Sequence, residues 1–335
     1  MLPHMLENKE IFACPGCGGD LQLSDSSITC GGCSHTFPVE HGIPLLFWPN
    51  EWEAGKTDVT HEIKAFYEEN PFPNYDGFER VGDLVQKAEK SGFARMLNEQ
   101  IPFNVRVLEA GCGTGQLSNY LGVAHRVVFG TDICLNSLRL AQQFKEKNDL
   151  NRVGFYQMNL FRPIFKPESF SLVICNGVLH HTSDPFSGFQ SLAKLVKKGG
   201  YILIGLYNRY GRLVTDLRRL IFRIFSDRFK FLDPRLRGKD IGDLKKTIWF
   251  MDQYKNPSES KHTMGEVLRW FGEAGFDFVN GIPKLTAFSR FAEKEKLFRQ
   301  NPPGSRLDHF LVQTGMIFSG SKEGGLFVMI GRKKS

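Results

Sequence analysis

Val105-Arg106-Val107-Leu108-Glu109-Ala110-Gly111-Cys112-Gly113-Thr114-Gly115 is the stretch on which the fold turns. Val105, Val107 and Leu108 read as the end of a buried strand. Glu109 follows, then glycines at 111, 113 and 115, then a helical pattern from Gln116 to Leu121. A strand that runs through a glycine turn into a helix builds a nucleotide-shaped crevice, because glycine lets the backbone turn tightly and approach a ligand. The spacing is E-x-G-x-G-x-G, not the G-x-G-x-x-G of a dinucleotide site, and no basic residue stands in the loop to meet phosphate. The plain alternative is a structural turn in some other α/β protein.

Working outward, strand and helix patterns alternate as a doubly wound sheet requires. Strands are expected at Val105–Glu109, Arg126–Asp132, Val153–Met158, Phe170–Asn176, Tyr201–Tyr207, Phe276–Asn280 and Leu326–Gly331. Helices are expected at Leu135–Lys147, Phe186–Val196 and Glu266–Ala274. Thr263 and Glu266 form a capping box at the start of the last helix and Gly275 ends it.

Asp132 closes the second strand, 21 residues after Gly111, where a carboxylate can accept both hydroxyls of a ribose. An N-cap for the following helix is the alternative reading. Ile133 can lie against the base, and Met158 reads as an apolar wall. Asn159 ends the third strand, and Asn176-Gly-Val-Leu-His-His-Thr-Ser-Asp-Pro185 follows the fourth.

These four places, in this order, resemble the class I S-adenosylmethionine (SAM)-dependent methyltransferases, and the Asn176 segment resembles the small-molecule branch that methylates quinones. The resemblance implies a Rossmann-like seven-stranded sheet with an antiparallel last strand. It implies SAM as cofactor, held by Glu109, Gly111, Gly113, Gly115, Asp132, Ile133, Asn159 and Asn176. Asn159 departs from the Asp common in relatives and would accept from the adenine amine through its carbonyl oxygen. Asn176 would lie near the methionine part, with His180 and His181 at the mouth. There a histidine can deprotonate an acceptor, or simply pack at a helix start. Methyl transfer is an in-line displacement that needs positioning above all. Asn/Asp-Pro-Pro-Tyr motifs are absent, and Cys112, Cys134 and Cys175 read as inert core thiols.

Cys14-x2-Cys17, twelve residues, then Cys30-x2-Cys33 make two knuckles surrounded by small residues. Four thiolates suit a closed tetrahedral Zn2+ site, and in so short a segment the metal would supply most of the folding energy. His35 and His41 are spare. Phe37–Phe47 resembles the short zinc ribbon fused to, or partnering, many methyltransferases. A related ribbon begins the rRNA guanine methyltransferases, but its usual Cys-x3-His knuckle is not kept here.

The chain has 335 residues, 41% of them hydrophobic, 13% aromatic with 30 Phe, and a net charge of +7. No apolar run is long enough to span a bilayer, and Met1–Lys9 has no signal-peptide core, so a reducing cytoplasmic setting is expected. Residues 50–60 read as a linker. Ile63, Phe66 and Tyr67 share a helix face that ends before Pro71 and Pro73. Tyr67 and Tyr75 are candidates for a lid over the cofactor, or for packing of the ribbon on the main domain. Val81–Gln100 reads as one further helical pattern.

After Tyr207 the charge concentrates. Arg209 to Lys246 contains twelve Lys/Arg and five Asp, a balance of +7. Leu213, Leu217, Leu220, Ile221, Ile224 and Phe225 form an apolar face flanked by Arg212, Arg218, Arg219 and Arg223. Three readings compete: a cover over the acceptor pocket, a rest on an anionic membrane or lipid-like substrate, and a grip on RNA phosphates. Tyr207, Asn208, Arg209 and Tyr210 at its root point toward the acceptor. Met251–Thr263 reads as a loop, with Asp252, Gln253, Tyr254, Glu259 and His262 as a polar cluster.

The expected division is a zinc ribbon at 11–49, a linker and pre-domain helices at 50–104, and a methyltransferase domain at 105–335 with a basic helical insertion at about 208–262. The expected activity is methyl transfer from SAM to a small or lipid-like acceptor, with His180, His181 and Tyr207 as catalytic candidates. A tRNA or rRNA methyltransferase and a non-catalytic partner-activating subunit are the alternatives.

Overall fold

A computed structural model describes residues 2–24, 26–52, 57–71, 79–237, 242–292, 294–319 and 324–335. The chain opens with a short helix, α1 (Pro3–Glu7), and a four-stranded antiparallel sheet, β1 (Leu21–Leu23), β2 (Ser27–Cys30), β3 (Thr36–Glu40) and β4 (Ile43–Pro44). Helices α2 (Thr60–Glu69), α3 (Val81–Lys90) and α4 (Gly92–Gln100) follow. The expected single helix over Val81–Gln100 is thus two, because Ser91 leaves the helix and caps α4 by accepting from Ala94 N–H. Tyr75 and Pro73 lie outside the described residues.

Next come β5 (Arg106–Ala110), α5 (Gln116–Val123), β6 (Val127–Asp132), α6 (Leu135–Lys147), β7 (Val153–Gln157), β8 (Phe170–Asn176), α7 (Pro185–Leu195) and β9 (Val196–Tyr207). The insertion contributes α8 (Leu213–Phe225), α9 (Pro234–Arg237) and α10 (Asp243–Phe250). The chain closes with α11 (Met264–Glu273), β10 (Phe276–Ile282), α12 (Arg306–Ser319) and β11 (Leu326–Lys333). The large sheet has seven strands in the order β10-β11-β9-β8-β5-β6-β7. β5 to β9 pair in parallel, and β11 runs antiparallel to both neighbours. The strand order reverses between β5 and β8, the switch point where a doubly wound sheet opens a crevice at its strand ends.

The small sheet is joined to the large one through backbone and core. Beyond β4, Leu45 bridges to Gln157 and Leu46 N–H donates to Gln157 C=O, so the edge strand β7 is covered. Ala13 N–H donates to Ile164 C=O and Lys166 N–H to Ile11 C=O. Phe12, Phe37 and Leu46 are buried in one cluster with Phe129, Tyr156, Phe165 and Phe170. Each such side chain contributes about 2 kcal/mol. The segment therefore shares a core with the sheet, which gives it a source of folding energy besides any metal. No described helix is long and apolar enough to cross a membrane.

Candidate active site

The glycine turn is built by sterics. Gly111 has φ +75°, and a Cβ there would lie 2.2 Å from Val178 Cγ2. Gly115 has φ +70° and caps α5, and its Cβ would strike the Phe155 ring at 2.6 Å. Gly111 and Gly113 line a cavity of about 520 Å3, but Gly115 does not. Gly115 serves helix-on-sheet packing. The cavity is within the range of about 300–1,000 Å3 typical of small-molecule sites.

At one end the strand tips of β5, β6 and β8 converge. Glu109, Asp132, Ile133, Asn159 and Asn176 all line this part. Asp132 accepts from Gly113 N–H (2.8 Å) and Cys134 N–H (2.9 Å), which leaves a second lone pair on each oxygen. It is not the N-cap of α6; Cys134 holds that position. The orphan N–H groups of Leu135 and Asn136 donate instead to the Glu68 carboxylate, at 2.7 and 2.9 Å. Burial raises the Asp132 carboxyl above its usual range, against those backbone donors. Burial also pushes Glu109 up to about 7, although Ser118 Oγ donates to it. Asn159 is occupied by structure: its amide donates to Trp48 C=O and Asn50 Oδ1, and its Oδ1 accepts from Phe161 N–H. Asn159 ties the N-terminal segment to the crevice wall, and its Oδ1, with one lone pair taken by Phe161 N–H, keeps a second one. Asn176 Oδ1 is buried and has no partner among the described residues.

The other end is assembled from distant segments. Tyr67 OH donates to Asp252 Oδ1 (2.9 Å) and accepts from Asn256 Nδ2 (3.1 Å). Gln253 Nε2 donates to Tyr207 OH (2.7 Å) and to Asp252 Oδ2 (2.8 Å). Tyr67, Tyr207, Asp252 and Gln253 line the cavity, joined by Arg235 and Trp249 of the insertion. Burial and the Asp252 carboxylate push the Tyr207 phenol above its ordinary value, so it is a neutral donor and not a base. The Arg212 guanidinium lies 3.8 Å from the Tyr207 ring centroid and is ion-paired with Glu259, which Arg219 also meets. Arg212 is wholly buried, not a solvated flank. The expected loop at Met251–Lys255 is a π-helical turn extending α10, and it buries Asp252, Gln253 and Tyr254. His262 N–H donates to Tyr207 C=O, and Arg209 N–H to His262 C=O, closing the insertion at its root.

His180 and His181 do not stand open at a mouth. His180 is completely buried, lies against Tyr207 with ring centroids 3.9 Å apart, and does not line the cavity. Burial lowers its pKa well below the ordinary histidine value. His181 lines the cavity, and its Nδ1 donates to Ser258 C=O (2.7 Å). That bond leaves Nε2 as the basic nitrogen. Glu68, Arg235 and Trp249 were not singled out in the sequence. Only the position of Arg235 and Trp249 within the insertion pointed to them, and nothing local marks Glu68.

In the N-terminal segment, the sulfurs of Cys14, Cys17, Cys30 and Cys33 lie within 4.8 Å of one another. Cys17–Cys30 and Cys14–Cys33 separations are 3.4 and 3.8 Å. A tetrahedral zinc with Zn–S of about 2.3 Å needs sulfurs about 3.8 Å apart. Gly19 N–H donates to Cys17 Sγ and Gly32 N–H to Cys30 Sγ. His35 and His41 are exposed and outside the cluster.

Residues 108–204 match the family described as "Methyltransferase domain". The chain carries a class I methyltransferase domain. An uncharacterised protein of Synechococcus sp. is 29% identical over 198 residues, 52% of this chain and 48% of the relative. The ubiquinone biosynthesis O-methyltransferase of Glaesserella parasuis is 34% identical over 113 residues, 32% of this chain and 47% of the relative. The chain thus spans about half the length of these curated relatives. Magnesium protoporphyrin IX methyltransferase of Synechocystis, solved with bound SAH, superposes with a TM-score of 0.48 at 16% identity, covering 83% of this chain and all of that one.

Proposed function

We propose that this chain is a SAM-dependent methyltransferase acting on a small or lipid-like acceptor. The observation that carries the reading is one cavity holding two unlike ends: strand-tip carboxylates beside a glycine turn, and a capped end built by the insertion. The residues suit the cofactor. Asp132 has lone pairs for a ribose diol; Ile133, Met158, Leu160 and Phe161 give apolar walls for adenine; Glu109 and the unpaired Asn176 Oδ1 suit the amino-acid half. When bound there, SAM supplies a sulfonium-activated methyl group. Tyr207 and Tyr67 orient the acceptor, and His181 Nε2 takes its proton.

The proposed layout is a zinc ribbon at 11–49, connecting helices at 50–104 and the methyltransferase domain at 105–335, with a reducing compartment suited to the four thiolates. Cys14, Cys17, Cys30 and Cys33 would hold one Zn2+ as a clamp on the ribbon's turns. Metal analysis of purified chain should find about one zinc per chain, lost in Cys14→Ser.

The activity test is incubation with methyl-labelled SAM and three acceptor pools: lipid extract, polar metabolites, and tRNA with rRNA. Label in either of the first two supports the reading. Label in RNA contradicts the acceptor class, and no label in any pool contradicts the enzyme.

A further inference from the structure

Two helices expose apolar rows. On α8, Leu213, Leu217, Leu220 and Ile224 are 48–62% exposed. At about 100° per residue their spacing places them within about 60° of one another on the helix circumference. The buried residues of α8, Thr215 and Phe222, lie on the opposite side, where Phe222 meets Phe250 and Tyr254. The apolar face of this helix is therefore turned largely outward. α12 repeats the arrangement. Leu307, Leu311 and Phe318 are 42–83% exposed, and the buried Gln313 and Met316 lie opposite.

α12 packs against the root of α8. The Tyr210 ring meets Phe310 edge-on at 6.4 Å, Asn208 Nδ2 donates to Gln313 Oε1, and Gly211 lies against Met316. Exposed apolar surface of this extent marks an interaction site.

Charge selects the occupant. Arg209 and Arg223 are exposed and meet no carboxylate among the described residues; Lys230 and Arg237 are exposed nearby. A second copy would bring the same positive surface against this one. RNA would meet the arginines but leave the leucines in water. An anionic bilayer satisfies both, since basic residues attract its headgroups while Leu and Phe enter the boundary of its acyl chains.

We propose that α8 and α12 seat this chain on an anionic lipid bilayer. The proposal goes beyond methyl transfer and does not depend on it. Because Arg235 and Trp249 of the same insertion line the cavity, seating brings the acceptor end of the cavity to the lipid surface.

The test is co-sedimentation of the zinc-loaded full chain with vesicles of phosphatidylcholine alone or with about 30% phosphatidylglycerol. Binding to the anionic vesicles is expected to be at least about tenfold tighter. Leu217→Glu/Ile224→Glu should weaken it about tenfold, and Phe318→Glu should weaken it independently. Both variants should keep the thermal melt and the SAM affinity of the parent, since the replaced side chains are exposed. Equal binding to both vesicle types, or no effect of either variant in protein that melts normally, overturns the proposal. So does a solution dimer that Leu217→Glu/Ile224→Glu converts to monomer, which assigns the surface to a second copy. Salt-steep RNA binding without vesicle binding overturns it too.

Discussion

At the glycine-turn end of the cavity, Glu109, Gly111, Gly113, Asp132 and Asn176 sit on the tips of three neighbouring parallel strands, β5, β6 and β8. Their positions follow from a backbone ladder. At the capped end, Tyr67, Tyr207, Asp252 and Gln253 come from α2, β9 and the π-helical turn, and side-chain hydrogen bonds hold them together. Tyr67 and Asp252 are 185 residues apart. One end is rigid scaffold with a fixed chemistry; the other is a polar network whose members can be exchanged while the sheet stays intact. That division suits an enzyme whose cofactor is constant and whose acceptor is particular to it.

If the ends are separable, damage to the network should cost stability and spare the cofactor. The largest effect is expected from Arg212→Ala, which strands the buried Glu259 carboxylate with only Arg219 beside it. A loss of about 3–5 kcal/mol is expected from breaking such a buried pair, read as a fall in thermal midpoint. SAM affinity of the folded protein should stay within about threefold. A parallel loss of SAM affinity would break the separation.

The glycine-turn end carries its own pH signature. Glu109 titrates near 7 because it is buried. A cationic ligand favours the carboxylate, so SAM affinity should rise about tenfold from pH 6 to pH 8, and Glu109→Gln should flatten the profile. The ligand-free protein should behave in the opposite sense. A folded-state pKa raised from 4.5 to about 7 stabilises the fold below pH 4.5, and that stability is lost as pH rises through 7. A flat affinity profile in the parent protein would remove Glu109 from the cofactor site.

The smallest effect tests one link within the capped end. Tyr67→Phe removes the hydrogen bonds to Asp252 and Asn256, while Asp252 keeps Gln253. About 1 kcal/mol of stability is expected to go, with hydrogen exchange accelerated around Met251–Lys255. Unchanged exchange there would mean the latch carries no load.

The same contrast governs what the sequence could reveal. The strand–turn–helix at Val105–Leu121, Asp132 and the Asn176 segment are local patterns, and they placed most of the sheet and the glycine-turn end of the cavity. The four cysteines were legible from spacing alone. The ribbon's packing into the large core was not, because the pairing of Leu46 with Gln157 is long-range. The surroundings of Asn159 and His180 were hidden for one reason: burial and partner choice at a strand end depend on segments far away in sequence, Trp48 and Asn50 in one case and Tyr207 in the other. The apolar row of α8 was visible as a pattern. Periodicity shows that a face exists, not whether protein covers it.

The account rests on the glycine-turn end being the cofactor's. Titration calorimetry of the zinc-loaded chain with SAM at pH 8 tests this most directly. The account predicts one site per chain with a dissociation constant of about micromolar order, weakened at least about 100-fold in Asp132→Ala, which removes charged hydrogen bonds to the ribose. No saturable heat from the parent chain, or equal affinity in Asp132→Ala, would contradict it.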